Sequence, residues 1–105
     1  MSDESDNDAL TAAVKKNFAA AFGAVLKLAP DTGPPLWIDG RENPPKILNS
    51  QPDGVEVACL WSGAREALTR ATASARAFES AYVSGRVLIT GDMSVMSRIA
   101  LGESR

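Results

Sequence analysis

Residues 77–101, AFESAYVSGRVLITGDMSVMSRIAL, read as a helix, a tight turn, a strand, a glycine–aspartate corner and a final helix. Phe78 and Tyr82 stand one helical turn apart with Ala77 and Ala81 beside them, so one face of a short helix is apolar and aromatic. Gly85 falls where a helix turns left-handed to stop, a conformation that strains glycine little. Val87 and Ile89 then alternate with Arg86, Leu88 and Thr90, the period of a strand buried more deeply on one face. Gly91 breaks that strand. Asp92 is placed to cap the last helix, its carboxylate accepting bonds from the free N–H groups of the next turn. The helix carries Val95, Met96, Ile99 and Ala100 on one side and mostly Ser94, Ser97 and Arg98 on the other.

The ordered set Ala77, Phe78, Ala81, Tyr82, Gly85, Arg86, Val87, Ile89, Gly91, Asp92, Met93 and Ile99 resembles the sterol carrier protein type 2 domain. The likeness covers about half the chain, roughly residues 54–101. It implies an α+β fold: an antiparallel, roughly five-stranded sheet covered on one face by helices, with an apolar tunnel next to the C-terminal helix.

Residues 1–7 are acidic and polar, and are expected to form a disordered tail ahead of a single domain spanning 8–105. Asp8 can cap a helix whose apolar face is Leu10, Val14, Phe18, Ala21 and Phe22, with Gly23 as its end. Residues 24–29 read as a last helical turn or a first strand; the resemblance favours the strand. All six prolines lie between Pro30 and Pro52, and each removes a backbone donor, so strands there are short or at edges. Residues 36–38 and 46–48 are the candidates. Residues 55–62 form the clearest central strand, with Val55, Val57, Cys59 and Trp61 on one face. Ser62 can cap a helix over 63–73 with Ala64, Leu68 and Ala71 inward, and residues 72–74 then bend the chain.

With 105 residues, 45% of them hydrophobic, one domain is the natural count. A chain of this size buries a little over ~60% of its unfolded surface, so a large internal cavity is a noticeable cost. Four acids sit in the first eight residues, and the remainder carries 11 basic against 9 acidic side chains. No dense basic stripe exists to neutralise phosphates, which argues against nucleic acid and allows at most transient membrane contact. One cysteine permits no intrachain disulfide, the start lacks the basic-then-apolar order of a secretory signal, and no apolar run approaches ~18 residues. These features lead us to expect a soluble cytoplasmic protein.

Histidine is absent, which removes the commonest routes to nucleophilic catalysis and zinc binding. Cys59 lies mid-strand among apolar neighbours and reads as a small core hydrophobe. Asp92 and Glu79 are the nearest thing to a carboxylate pair, but capping accounts for Asp92 and Glu79 lies on a solvated flank. Gly63, Gly85 and Gly91 make no phosphate-binding spacing. No enzyme and no cofactor is therefore expected. What remains is apolar surface: adaptable Met93 and Met96, and the flat rings of Phe78, Tyr82, Trp61 and Trp37. Periodicity alone makes these an ordinary core; the resemblance makes them a lining. On that basis the expected ligand-binding residues are Phe78, Tyr82, Val87, Ile89, Met93, Met96 and Ile99, with the register of Val87 and Ile89 against Leu88 left open. Arg86 and Arg98 could meet a headgroup or carboxylate, against the plainer reading of solvated arginines. The resemblance thus implies carriage of a lipid-like small molecule. The alternative is the same fold with a filled core, acting as an accessory module for an enzyme of lipid or quinone metabolism. A second copy or a partner enzyme is the protein companion considered.

Overall fold

A computed structural model describes residues 2–18 and 20–99. The sheet is built outward from β1 (Val25–Pro30), whose Leu26 and Leu28 are wholly buried on one face while Lys27 turns to the other. β2 (Leu36–Asp39) runs antiparallel along one side of β1, and β3 (Lys46–Leu48) pairs antiparallel with β2 at the edge. β4 (Cys59–Gly63) lies on the other side of β1 and parallel to it. β5 (Val87–Gly91) closes the order β3-β2-β1-β4-β5, antiparallel to β4.

The strand count is as expected, but the sheet is mixed rather than antiparallel. The β2–β3 hairpin and the segment 49–58 together form the crossover that a parallel pair requires, bringing the chain back to the free side of β1. The prolines sit at the joints: Pro30 ends β1, Pro34 and Pro35 precede β2, and the cis Asn43–Pro44 bond lies between β2 and β3. They keep β2 and β3 to four and three residues.

β4 is shorter than its alternation suggests, because Val55 and Val57 have no strand to join. β1 and β5 both end level with Cys59, where Leu26 and Gly91 are its partners. Cys59 and Trp61 do share the core face.

α1 (Ser2–Asn17) starts upstream of Asp8, so that residue lies within the helix rather than at its cap. No glycine or proline interrupts the segment before Asp8. Leu10 and Val14 are fully buried, and Phe18, just past the end, still donates its N–H to Val14 O at 2.9 Å. The helix stops well before Gly23. Phe22 and Gly23 instead donate both their N–H groups to Gly40 O, each at 2.8 Å, tying this connection to the end of β2. The Phe22 ring lies so close over Gly40 that a Cβ there would collide with it.

α2 (Arg65–Ala71) is shorter than the expected 63–73, and its N-cap is Ala64 with no side-chain bond. Ser62 cannot cap it because Ser62 is held in β4 opposite Leu88. α3 (Ala75–Val83) is capped by Ser74, whose Oγ accepts from the Ala77 N–H at 3.0 Å, and Gly85 follows at φ +82°. The final helix is a 3-10 helix, Met93–Arg98, capped as expected by Asp92. Ala19 and Ala100, assigned to the first and last helices, lie outside the described residues.

The three α-helices and the 3-10 helix supply Leu10, Val14, Leu68, Ala71, Ala81 and Val95 to one core with the inward side chains of the sheet. On the sheet's other face the register puts Leu48, Trp37, Lys27, Leu60 and Thr90 in one row across all five strands. The Lys27 ammonium sits 5.0 Å from the Trp37 ring centroid.

Candidate functional site

An aromatic row crosses the inner side of the sheet. Phe22 and Phe18 are 6.1 Å apart between ring centroids, Phe18 and Trp61 5.9 Å, Trp61 and Phe78 4.6 Å, and Phe78 and Tyr82 6.2 Å with near-parallel rings. The row is buried from Phe22 to Trp61 and opens toward Tyr82. Trp61 is 0% exposed and Tyr82 44%. Its geometry follows from local structure: β4 turns Trp61 inward, and the one-turn spacing of Phe78 and Tyr82 on α3 stacks their rings.

The 3-10 helix crosses beneath this row. Met96 brings its sulfur to 3.4 Å from the Trp61 Nε1, which donates to it, and to 4.0 Å from the Cys59 Sγ. Arg98 donates its Nε–H to Phe22 O at 3.1 Å, so this arginine holds the end of the 3-10 helix against the α1–β1 connection. Asp92 Oδ1 accepts from both the backbone N–H and the hydroxyl of Ser94, at 2.9 and 2.6 Å. These bonds hold the Asp92 carboxyl below its usual range.

The seven expected lining residues separate by depth. Val87 is fully buried, whereas Phe78, Ile89, Met96 and Ile99 are partly buried against the core. Tyr82 and Met93 are exposed. The register question has an answer: Val87 and Ile89 face the core side, and Leu88, 60% exposed, faces outward. Trp61, the central member of the row, was not among the expected lining residues, although its alternation with Cys59 already put it on the inward face. The missing signal was long-range, since Trp61 pairs with Ile89 and meets Met96 from a distant segment.

Among the described residues, three surface cavities lie away from these side chains. One of about 550 Å³ lies between Ala9 of α1, Asp31 and the start of α2. One of about 310 Å³ lies on the outer sheet face by Lys27, Gln51 and Leu60, and one of about 290 Å³ beside α2 and Arg86. None is lined by any of the seven.

The chemistry on offer is apolar contact. Burial pushes the Cys59 thiol up, so it stays protonated at neutral pH and is a poor nucleophile. A second perturbed carboxyl among the described residues, Asp39, is lowered by the Arg41 guanidinium, which donates to both its oxygens at 2.8 and 2.7 Å in a structural pair.

No family model and no curated sequence matches the chain. Solved structures do. A UbiJ-SCP2 ubiquinone synthesis protein superposes with a TM-score of 0.63 at 12% identity, over 92% of this chain and 90% of that one. The apo form of sterol carrier protein 2 from Yarrowia lipolytica gives 0.55 at 12% identity, over 92% and 89%. The sterol carrier protein domain 2 of Helicoverpa armigera gives 0.58 at 14%, over 91% and 74%. The architecture is therefore an α+β one shared with sterol carrier protein structures. Specifically, this chain has the sterol carrier protein type 2 fold. Among the described residues, no helix is long and apolar enough to cross a membrane.

Proposed function

We propose that this protein, through its single domain 8–105, binds and carries a hydrophobic, lipid-like molecule without catalysis, as a cytoplasmic carrier. The ligand class is a fatty acyl, isoprenoid or sterol-like body. The observation that carries the reading is the aromatic row from buried Trp61 to half-exposed Tyr82, closed from below by Met96.

Met96 is unbranched, and its thioether is held by weak contacts to sulfur, an N–H···S bond from Trp61 and a longer one from the Cys59 thiol, so it is the side chain here most able to swing aside. The segment that carries it is a short 3-10 helix fixed by Asp92 at one end and Arg98 at the other. Displacing Met96 opens a slot between Phe78, Ile89 and Ile99, with Tyr82 and Met93 at its mouth and Val87 at its base. An alkyl chain entering it gains about 25 cal/mol per Å² of apolar surface removed from water.

The test is uptake of a fluorescent fatty acid by the wild type and by Met96→Trp. Wild-type uptake lost in a folded Met96→Trp supports the site; equal uptake by both removes the 3-10 helix from it.

A second reading is an accessory module for an enzyme of lipid or quinone metabolism. It is favoured by the filled contact between Trp61, Phe78 and Met96, and by the likeness to a ubiquinone synthesis protein. Native mass spectrometry separates the two. A lipid-mass adduct supports carriage, and a stoichiometric protein partner without an adduct supports the module.

A further inference from the structure

The two edges of the sheet differ in how they are guarded. β3 has three residues, follows Pro44 and Pro45, and opens on Lys46, all features that discourage further strand pairing. β5, Val-Leu-Ile-Thr-Gly, contains no charge and no proline, and no described strand lies beyond it.

Its free hydrogen-bonding groups can be assigned. The Asp31 N–H donates to Gly63 O at 2.8 Å, so Cys59, Trp61 and Gly63 turn their peptide groups toward β1. Leu60 and Ser62 therefore turn theirs toward Thr90 and Leu88, and the 2.8 Å bond from Asp92 N–H to Ala58 O continues that set. By alternation, Val87, Ile89 and Gly91 point their N–H and C=O groups out of the open edge.

We propose that two copies of this chain pair antiparallel through β5, centred on Ile89, to form one sheet continuous across both. In that register Ile89 faces its own copy and Val87 faces Gly91, so every outward-pointing group meets another. The flanking charges agree with it. Arg86, just before the strand, falls opposite Asp92, just after it, and the two-fold axis makes this ion pair twice. Arg86 is exposed, and the two bonds Asp92 makes to Ser94 both use Oδ1, which leaves Oδ2 for a guanidinium. Leu88, exposed on the outer face of the sheet, falls opposite Thr90 in the pairing and loses part of its contact with water there.

The experiment is sedimentation equilibrium of the full chain from micromolar to submillimolar concentration, with Arg86→Glu and Asp92→Arg variants run alone and mixed. The wild type dimerises, each variant alone weakens the dimer at least tenfold, and the mixture regains it as a heterodimer, because every pair across the axis is again opposite in charge. A wild type monomeric throughout overturns the proposal, as does a dimer indifferent to Arg86→Glu. Since Asp92→Arg also removes a helix cap, amide exchange on the wild type gives an independent reading. The Ile89 and Gly91 amides slow as concentration rises through the dimer range; rates independent of concentration overturn the pairing.

Discussion

The indole N–H of Trp61 donates to the sulfur of Met96, so the most buried aromatic of the core leans on a side chain from the last helix. One contact thereby joins β4 to the 3-10 helix and fixes how closely that helix lies against the aromatic row.

Met96→Ala removes the thioether and leaves the Trp61 N–H without its acceptor. Truncating a partly buried methionine costs about 1–3 kcal/mol, below the range for a full core site. Urea unfolding should show that loss. The same variant should take up a fluorescent fatty acid better than the wild type, since stability and access move in opposite directions at this position.

Phe78 and Tyr82 stack on each other but differ in depth. Phe78→Ala should cost about 2–4 kcal/mol through lost contact with Trp61, whereas Tyr82→Ala, at the exposed end, should cost under about 1 kcal/mol. Thermal unfolding of the pair checks the gradient. Equal losses would mean that the row does not become shallower toward Tyr82.

Gly40 has no room for a side chain because the Phe22 ring covers it. Gly40→Ala forces either that ring or the end of β2 to move, and overpacking of this kind costs about 1–3 kcal/mol. A lowered midpoint in thermal unfolding is the expected result. Adding Phe22→Leu should recover part of it by making space.

Asp39 and Asp92 both have carboxyls held below the usual value by hydrogen bonds to the charged form, from Arg41 and from Ser94. A lowered folded-state value means the stabilisation is complete above the unfolded value near 3.8 and is lost as pH falls through the folded one. Stability should therefore be flat near neutrality and decline below about pH 4. Asp39→Asn should lower the plateau and shallow that decline, as measured by melting temperature against pH.

The Cys59 thiol is buried and its ionisation is suppressed. Alkylation by iodoacetamide at neutral pH should follow global unfolding and be negligible in the native protein. Fast labelling of native chain would place Cys59 at an accessible surface.

Local patterns were the legible part of this protein. The β5 alternation, the Asp92 cap and the turn at Gly85 each depend on neighbours within a few residues, and each stands where the sequence puts it. The five strands and the sterol carrier protein type 2 fold followed from the ordered set around them. What depended on distant partners was not legible. Val55 and Val57 have the right alternation but no strand beside them. The parallel direction of β4 is decided by the crossover, which no local pattern encodes. Phe22 is tied to Gly40, a residue just past β2, rather than continuing the helix that ends at Asn17. For the site, the depth of Val87 and Ile89 depends on a distant partner, since Trp61 lies opposite Ile89 in the sheet.

The parallel seam between β1 and β4 also sets an order of events during synthesis. Leu26 and Cys59 are neighbours in the sheet, yet all of β2, β3 and the 49–58 segment lie between them in the chain. While the chain is being made, β1 can take β2 as a partner early, but its other side stays bare until Gly63 has emerged. A nascent or truncated chain ending before that point presents Leu26 and Leu28 on an open strand, the form in which this protein is most exposed to aggregation.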